Sequence, residues 1–362
     1  MKAVVAHELN KFTVENVSLD PPKAGEVLVK MAATGVCHSD LSVINGTLPL
    51  PLPMVLGHEG AGVVDQVGDG VSNVQPGDHV VLSFVPNCGD CYHCLRSEPH
   101  LCMVGAPTGR MLDGTARVKL NGNELGVMQF LGNMAEACVV PSISVVPIDK
   151  EISLASAALV GCGVTTGVGA AIKTAQVRPG SSVAVFCCGG VGLSVIQGAR
   201  IAGADRIIGV DLADNKLELA TQFGATDTVS AAGDAVSKIK ELTGGRGVDY
   251  AFEAIGIGSV IEQAYSAVRR GGMLTVVGAG KITDIVKFSA LLLFAEAKTI
   301  KGFMYGNVNP RVDFPQLLDL YQRGKLDLDR MVTRTYTIDE APQAFEDLQK
   351  GLNARGVITF DV

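Results

Sequence analysis

The stretch Val183-Ala184-Val185-Phe186-Cys187-Cys188-Gly189-Gly190-Val191-Gly192 decides the fold. Its apolar, β-branched start reads as a strand, its glycine cluster as a tight turn, and the residues that follow, up to Ala202, as a helix. Arg206-Ile207-Ile208-Gly209-Val210-Asp211 then reads as the next strand. Strand, glycine turn, helix and strand in this order make a dinucleotide fingerprint, here with its first glycine replaced by Cys187. Working outward, buried strands are expected at Asp249-Tyr250-Ala251-Phe252 and Met273-Leu274-Thr275-Val276-Val277, with an amphipathic stretch over residues 261–268 between them. Such alternation predicts an α/β unit, a parallel sheet with helices on its faces. Gly189 and Gly190, with Val191, would let a pyrophosphate approach backbone N–H groups at the helix N-terminus, where the helix dipole favours negative charge. Gly192 would let helix and strand pack closely. Asp211, 19 residues after Gly192, can accept hydrogen bonds from both adenosine ribose hydroxyls and repel a 2′-phosphate, so NAD is favoured over NADP.

Before this unit, residues 1 to about 160 carry many short β segments, such as Val27-Leu28-Val29-Lys30 and Gly62-Val63-Val64, separated by Gly, Pro and Asp turns. After about Tyr305 the regular alternation fades, and the tail from Pro310 is expected to return to the β-rich part. With 362 residues the chain exceeds the size at which one hydrophobic core keeps growing, so two domains are expected: 1–163 with 305–362, and 164–304. A net charge of −7 argues against a nucleic-acid partner, which calls for clustered Lys and Arg. The start is interrupted by His7, Glu8 and Lys11 and does not read as a signal peptide. The longest apolar stretch, residues 183–199, contains Gly, Ser and Gln and falls short of a membrane span. A cytoplasmic protein with no membrane partner is therefore expected.

Cys88, Cys91, Cys94 and Cys102 form C-x2-C-x2-C-x7-C. Four thiolates at such spacings suit a closed tetrahedral structural zinc; an iron–sulfur centre uses the same donors. A second set is dispersed: Cys37 in Val36-Cys37-His38-Ser39-Asp40, His58 in Gly57-His58-Glu59, and Cys162 in Gly161-Cys162-Gly163. Singly each is more often a packed core residue than a ligand. Together, two thiolates and one imidazole would leave the fourth position of a zinc open, as catalysis requires. An open zinc is a Lewis acid that can lower the pKa of a bound alcohol and hold the alkoxide from which hydride departs.

On these residues the chain resembles the zinc-containing alcohol dehydrogenases of the medium-chain dehydrogenase/reductase superfamily. Gly57-His58-Glu59-x2-Gly62-x5-Gly68-x2-Val71 looks like that family's zinc signature. The four-cysteine lobe, Met111-Leu112-Asp113-Gly114-Thr115, Gly161-Cys162-Gly163-Val164-Thr165-Thr166-Gly167 and the glycine turn follow in the family's order. The loop around Asp113 resembles the long-loop dimeric branch. The resemblance implies a GroES-like β-rich catalytic domain plus a doubly wound Rossmann cofactor domain. It implies two zinc ions per chain, a catalytic one on Cys37, His58 and Cys162 and a structural one on Cys88, Cys91, Cys94 and Cys102. It makes Asp40 the partner of the His58 ring, puts Glu59 beside the catalytic zinc as an aid to ligand exchange, and gives Ser39 the hydroxyl that relays the alcohol proton. Ser42 stands where many members carry a His, so water is expected to finish that relay.

By the same resemblance His38 and Arg355 would face the cofactor pyrophosphate, Lys216 its ribose, and Thr166, Val277 and Gly278 its nicotinamide. Phe84, Phe130 and Leu131 would line the substrate channel. The expected reaction is reversible oxidation of primary apolar alcohols (allylic, benzylic or medium-chain) to aldehydes with hydride transfer to NAD, by a homodimer joined through Lys298-Thr299-Ile300-Lys301-Gly302-Phe303. Two alternatives stay open. A thiol-dependent formaldehyde dehydrogenase would oxidise an S-hydroxymethyl-thiol, whose far-end charges need partners that Met103-Val104-Gly105-Ala106-Pro107 and Leu48-Pro49-Leu50-Pro51-Leu52-Pro53 do not offer. A non-catalytic structural or binding protein on the same fold would be marked by loss of a catalytic ligand, and none is lost here.

Overall fold

The computed structural model describes residues 1–105 and 109–362, which form two compact units. The first comprises Met1–Gly163, Val308–Gly324 and Leu328–Val362; the second comprises Val164–Asn307 and Lys325–Asp327.

The first unit is β-rich. Its central strand, Glu26–Val36, lies in a seven-stranded sheet and pairs antiparallel with Gly60–Val67, Ala137–Pro141 and Arg355–Thr359. A second, six-stranded path runs through Lys11–Asn16, Lys2–Glu8, Met54–Val55, Asn123–Val127, Val118–Leu120 and Ser18–Leu19. One core cluster joins Val4, Val36, Met54, Leu56 and Met134 to Tyr336, Phe345 and Ile358, so the C-terminal segment is part of this unit's interior. Register matters here more than strand count. Thr34 pairs with Gly60 and Val36 with Gly356, so the residue after Val36, the two before Gly60 and the one before Gly356 converge at one end of the sheet. Those residues are Cys37, His58, Glu59 and Arg355.

The second unit is a six-stranded, all-parallel sheet in the order Asp227–Ser230, Arg206–Asp211, Ser182–Phe186, Val248–Glu253, Val268–Val276, Thr299–Gly302. Numbered along the chain this is 3-2-1-4-5-6, the Rossmann order, with its switch point between Ser182–Phe186 and Val248–Glu253. Residues 183–186 are buried without alternation because such a sheet is covered on both faces. The helix Gly190–Ile201 is buried over most of its length. The apolar run Leu291-Leu292-Leu293-Phe294 falls in the helix Ala290–Glu296, and the strand after it, Thr299–Gly302, is the sheet's outer edge. Among the described residues no single helix is long and apolar enough to cross a membrane.

Candidate active site and cofactor turn

The register described above gathers the dispersed set. Cys37, His58, Glu59 and Cys162 are all buried and each offers a ligand atom within 4.8 Å of the others. Cys162 follows the short helical segments Leu154–Ala158 and Leu159–Gly161, the first of which packs on strands Glu26–Val36 and Gly60–Val67. Asp40, wholly buried, ties the set together. One carboxylate oxygen accepts from His58 Nδ1 (3.2 Å) and Gly57 N (3.0 Å), and the other from Cys37 N (3.2 Å). With Nδ1–H given to Asp40, His58 Nε2 keeps its lone pair, and that buried atom has no hydrogen-bond partner among the described residues. An orphaned imidazole nitrogen beside two buried thiols is what a zinc-binding set requires. The hydrogen bond from Cys162 holds Cys37 well below its ordinary pKa, and the same contact, with burial, pushes Cys162 well above.

Around this set, Ser39 Oγ lies 3.8 Å from Cys37 Sγ, half-buried, while His38 is exposed at the start of helix His38–Ile44. The ring of Phe84 meets the His58 ring edge-on with centroids 5.5 Å apart. Glu59 is paired with the Arg355 guanidinium; burial pushes its carboxyl up to about 7 against the pull of that cation. Arg355 is likewise buried, and its Nε has no partner among the described residues. The sequence expectation set Arg355 against a pyrophosphate. In the structure its head group belongs to the Cys37–Cys162–Glu59 cluster, because Gly356 pairs with Val36. Leu131, expected in the substrate channel, is fully buried. Phe130 is also buried, with its backbone at φ 63°.

The four-cysteine lobe gathers as a closed group. Sγ–Sγ separations are 3.9 Å for Cys88–Cys94, 3.9 Å for Cys91–Cys102 and 3.5 Å for Cys102–Cys88, and none of the four is in a disulfide. Burial pushes Cys88 up to about 12, whereas N–H donation, first from Cys94, brings Cys91 down to about 6. His93 turns instead to Glu98, 3.1 Å away.

In the second unit the turn 187–192 leads from strand Ser182–Phe186 into helix Gly190–Ile201. Gly189 caps helix Gly190–Ile201, and the space over it is open: a Cβ there would meet only Cys187 Sγ, at 3.9 Å. At Gly192, by contrast, a Cβ would lie 1.9 Å from the Cys187 carbonyl oxygen, so only glycine fits. Asp211 accepts from Cys188 N (2.7 Å) and Ala213 N (3.1 Å), which fixes its carboxylate beside the turn with lone pairs left for ribose hydroxyls. Lys216 is buried in helix Asp214–Gln222; burial pulls its pKa down while Asp211 pulls it back. Thr166 is half-buried in Gly163–Gly169, and the N–H groups of Val277 and Gly278 both donate to the Glu253 carbonyl. Glu253 itself escaped the sequence reading. The available signal was an acid closing the apolar run Tyr250-Ala251-Phe252.

Cys187 has φ 77°, a left-handed conformation that costs a non-glycine residue about 1 kcal/mol or more. Burial pushes its thiol up to about 11, so it stays neutral toward an anion. Cys187→Gly should therefore raise thermal stability slightly and leave NAD affinity equal or tighter. A tenfold loss of affinity in calorimetric titration would instead give the thiol a positive role.

A mixed-sheet β unit with two cysteine-rich clusters that could hold metal ions, joined in one chain to a unit of Rossmann strand order, is the architecture of a zinc-binding dehydrogenase. Residues 23–150 match the alcohol dehydrogenase GroES-like domain, and residues 190–323 match the zinc-binding dehydrogenase domain. The NDMA-dependent alcohol dehydrogenase of Amycolatopsis methanolica is 42% identical over 99% of this chain and 98% of its own. Two crystal structures are similar throughout. An alcohol dehydrogenase zinc-binding domain protein from Burkholderia ambifaria is 36% identical, with a TM-score of 0.95, over 100% of this chain and 99% of that one. Benzyl alcohol dehydrogenase from Acinetobacter calcoaceticus is 34% identical, with a TM-score of 0.93, over 99% of each. The chain belongs to the zinc-containing alcohol dehydrogenases of the medium-chain dehydrogenase/reductase superfamily.

Proposed function

We propose that this chain oxidises primary apolar alcohols reversibly to aldehydes, with zinc on Cys37, His58 and Cys162 and with NAD as hydride acceptor. The observation that carries the reading is the buried His58 Nε2, which has no hydrogen-bond partner among the described residues, in a cluster with two thiols and with its ring held by Asp40. Zinc held by Cys37, His58 and Cys162 would supply Lewis acidity that eases loss of the alcohol proton. The chain's own residues supply the rest. Ser39, whose hydroxyl accepts and donates at once, takes the alcohol proton and passes it to water, since Ser42 replaces a terminal His. Beside the site the buried Arg355 guanidinium is paired with Glu59, whose carboxyl burial pushes up to about 7. Phe84 presents an aromatic wall, which suits benzylic or other apolar bodies, and the named substrate of the Acinetobacter relative supports the benzylic choice. Cys88, Cys91, Cys94 and Cys102 hold a second, structural zinc. We assign the protein to the cytoplasm.

Against the S-hydroxymethyl-thiol reading, Arg110 is paired with Glu124 at 2.5 Å. Ala106 and Pro107, which entered the same sequence argument, lie outside the described residues. kcat/KM for benzyl alcohol and octanol should exceed that for formaldehyde plus glutathione; a preference for the thiol adduct would reverse the assignment. The name of the 42% identical relative favours one second reading, in which turnover depends on NDMA rather than on added NAD. The same alcohols assayed with NAD alone and with NDMA alone separate the two.

Asp211→Gly should move the NADP-over-NAD ratio of kcat/KM up by roughly tenfold or more, because it removes ribose hydrogen bonds and the repulsion of a 2′-phosphate while Lys216 remains. An unchanged ratio would locate discrimination elsewhere. We also propose a homodimer. Ile282 is 94% exposed, Leu291 71% and Phe294 84%, in the segment that precedes Thr299–Gly302, the sheet's outer edge among the described residues; exposed apolar side chains and an open strand edge both favour pairing with a partner. Light scattering should give twice the chain mass, and Phe294→Glu should lower it to one; a monomeric wild type would contradict this.

A further inference from the structure

We infer that Glu253 is the positioning residue for the nicotinamide half of the cofactor, locking two backbone loops together at the end of the central strand. The inference deepens the NAD reading and rests on it. In a parallel sheet the ligand lies outside the carboxyl ends of the strands at the switch point, here between Ser182–Phe186 and Val248–Glu253. Asp211 and the turn 187–192 define the side of that point where the adenosine half lies. The nicotinamide half must then extend over the ends of Val248–Glu253 and Val268–Val276, where Glu253 stands in register with Phe186 on one side and Val276 on the other.

Glu253 is fully buried and holds both loops that leave these strand ends. Its carboxylate Oε1 accepts from Ile255 N (2.9 Å) and Gly256 N (2.7 Å). Its main-chain carbonyl accepts from Val277 N (2.7 Å) and Gly278 N (3.0 Å). The loops touch backbone to backbone. A Cβ at Gly278 would lie 1.9 Å from Gly256 N, and one at Gly256, whose φ is 82°, would lie 2.5 Å from the Ala279 carbonyl carbon and from Gly280 N. A displacement of residues 255–256 is therefore transmitted directly to Gly278. Oε2 has no partner among the described residues, and burial raises the acid's pKa, so a carboxylate is an expensive choice for a loop staple. Its reach is what distinguishes it: Gln keeps an acceptor at the same distance, whereas Asp keeps the charge but is one methylene shorter.

The test compares wild type, Glu253→Gln, Glu253→Asp and Glu253→Ala by calorimetric titration with NADH and with ADP-ribose, and by steady-state kinetics. Glu253→Gln should stay within about threefold of wild type for both ligands. Glu253→Asp should bind NADH at least tenfold more weakly and raise KM for NAD more than it lowers kcat, yet bind ADP-ribose within twofold of wild type. Glu253→Ala, where it folds, should match Glu253→Asp. Loss of both ligands together, or a Gln variant weaker than the Asp variant, would overturn positioning by reach in favour of general stability or charge. Equal NADH affinity in all variants would overturn the role outright while leaving the NAD reading intact. A wild type that binds neither ligand would overturn the NAD reading, and this role with it.

Discussion

Cys162→Ser should lower kcat/KM for benzyl alcohol by a factor on the order of 1,000 or more while leaving the thermal midpoint within a few degrees of wild type. The serine hydroxyl replaces one of two thiolates in a set whose third member is the lone imidazole of His58. Lewis acidity from an ion held by this set would contribute several kcal/mol of transition-state stabilisation, at about 1.4 kcal/mol per decade of rate. Folding is little affected because Cys162 stands in a short turn whose neighbours Leu159, Val160 and Val164 keep their apolar packing. Metal analysis should fall from two zinc equivalents per chain to one. Retention of turnover within tenfold of wild type would remove Cys162 from the ligand set.

Cys94→Ser should act in the opposite sense, on stability first. Cys94 is one of four thiols on a loop from Cys88 to Cys102 whose only helical pieces are single turns, Tyr92–Leu95 and Pro99–Leu101. So little regular structure leaves metal binding as the main source of order, and structural zinc contributes its binding energy to folding. Loss of roughly 3 kcal/mol, a modest share of such energies, lowers the melting temperature of a large domain by about 10 °C. One zinc equivalent per chain should again be lost. A variant that melts with wild type and keeps both equivalents would contradict the assignment of the lobe.

The two metal sets were legible in sequence because their chemistry restricts residue type. Thiolate and imidazole are among the few side chains that serve as zinc donors, so Cys88, Cys91, Cys94 and Cys102 stand out by spacing, and Cys37, His58 and Cys162 by the company they keep. The Rossmann sheet was legible for a related reason: a sheet covered on both faces leaves unalternating apolar runs such as Val183–Phe186. What was not legible depends on register. The pairing of Val36 with Gly356 brings Arg355 to Glu59 across more than half the chain, and no local pattern encodes that meeting. Which apolar residues line a channel is not legible either, because side chains that line a channel and those that fill a core have the same composition. Glu253 was passed over because its acceptors' partners are backbone N–H groups, which every sequence has. Cys187 was visible as an anomaly in a glycine position, and its φ of 77° gives the anomaly its physical form.

The central claim is direct transfer of hydride from a zinc-held alcohol to NAD, and isotope placement tests it most directly. Benzyl alcohol deuterated at its carbinol carbon is incubated with the zinc-loaded enzyme and NAD, and the reduced dinucleotide is isolated and examined by NMR. The account predicts one deuterium at C4 of the nicotinamide for each benzaldehyde formed, and no product from Cys162→Ser. Benzaldehyde formed without deuterium in the dinucleotide, or formed only when NDMA is added, would contradict it.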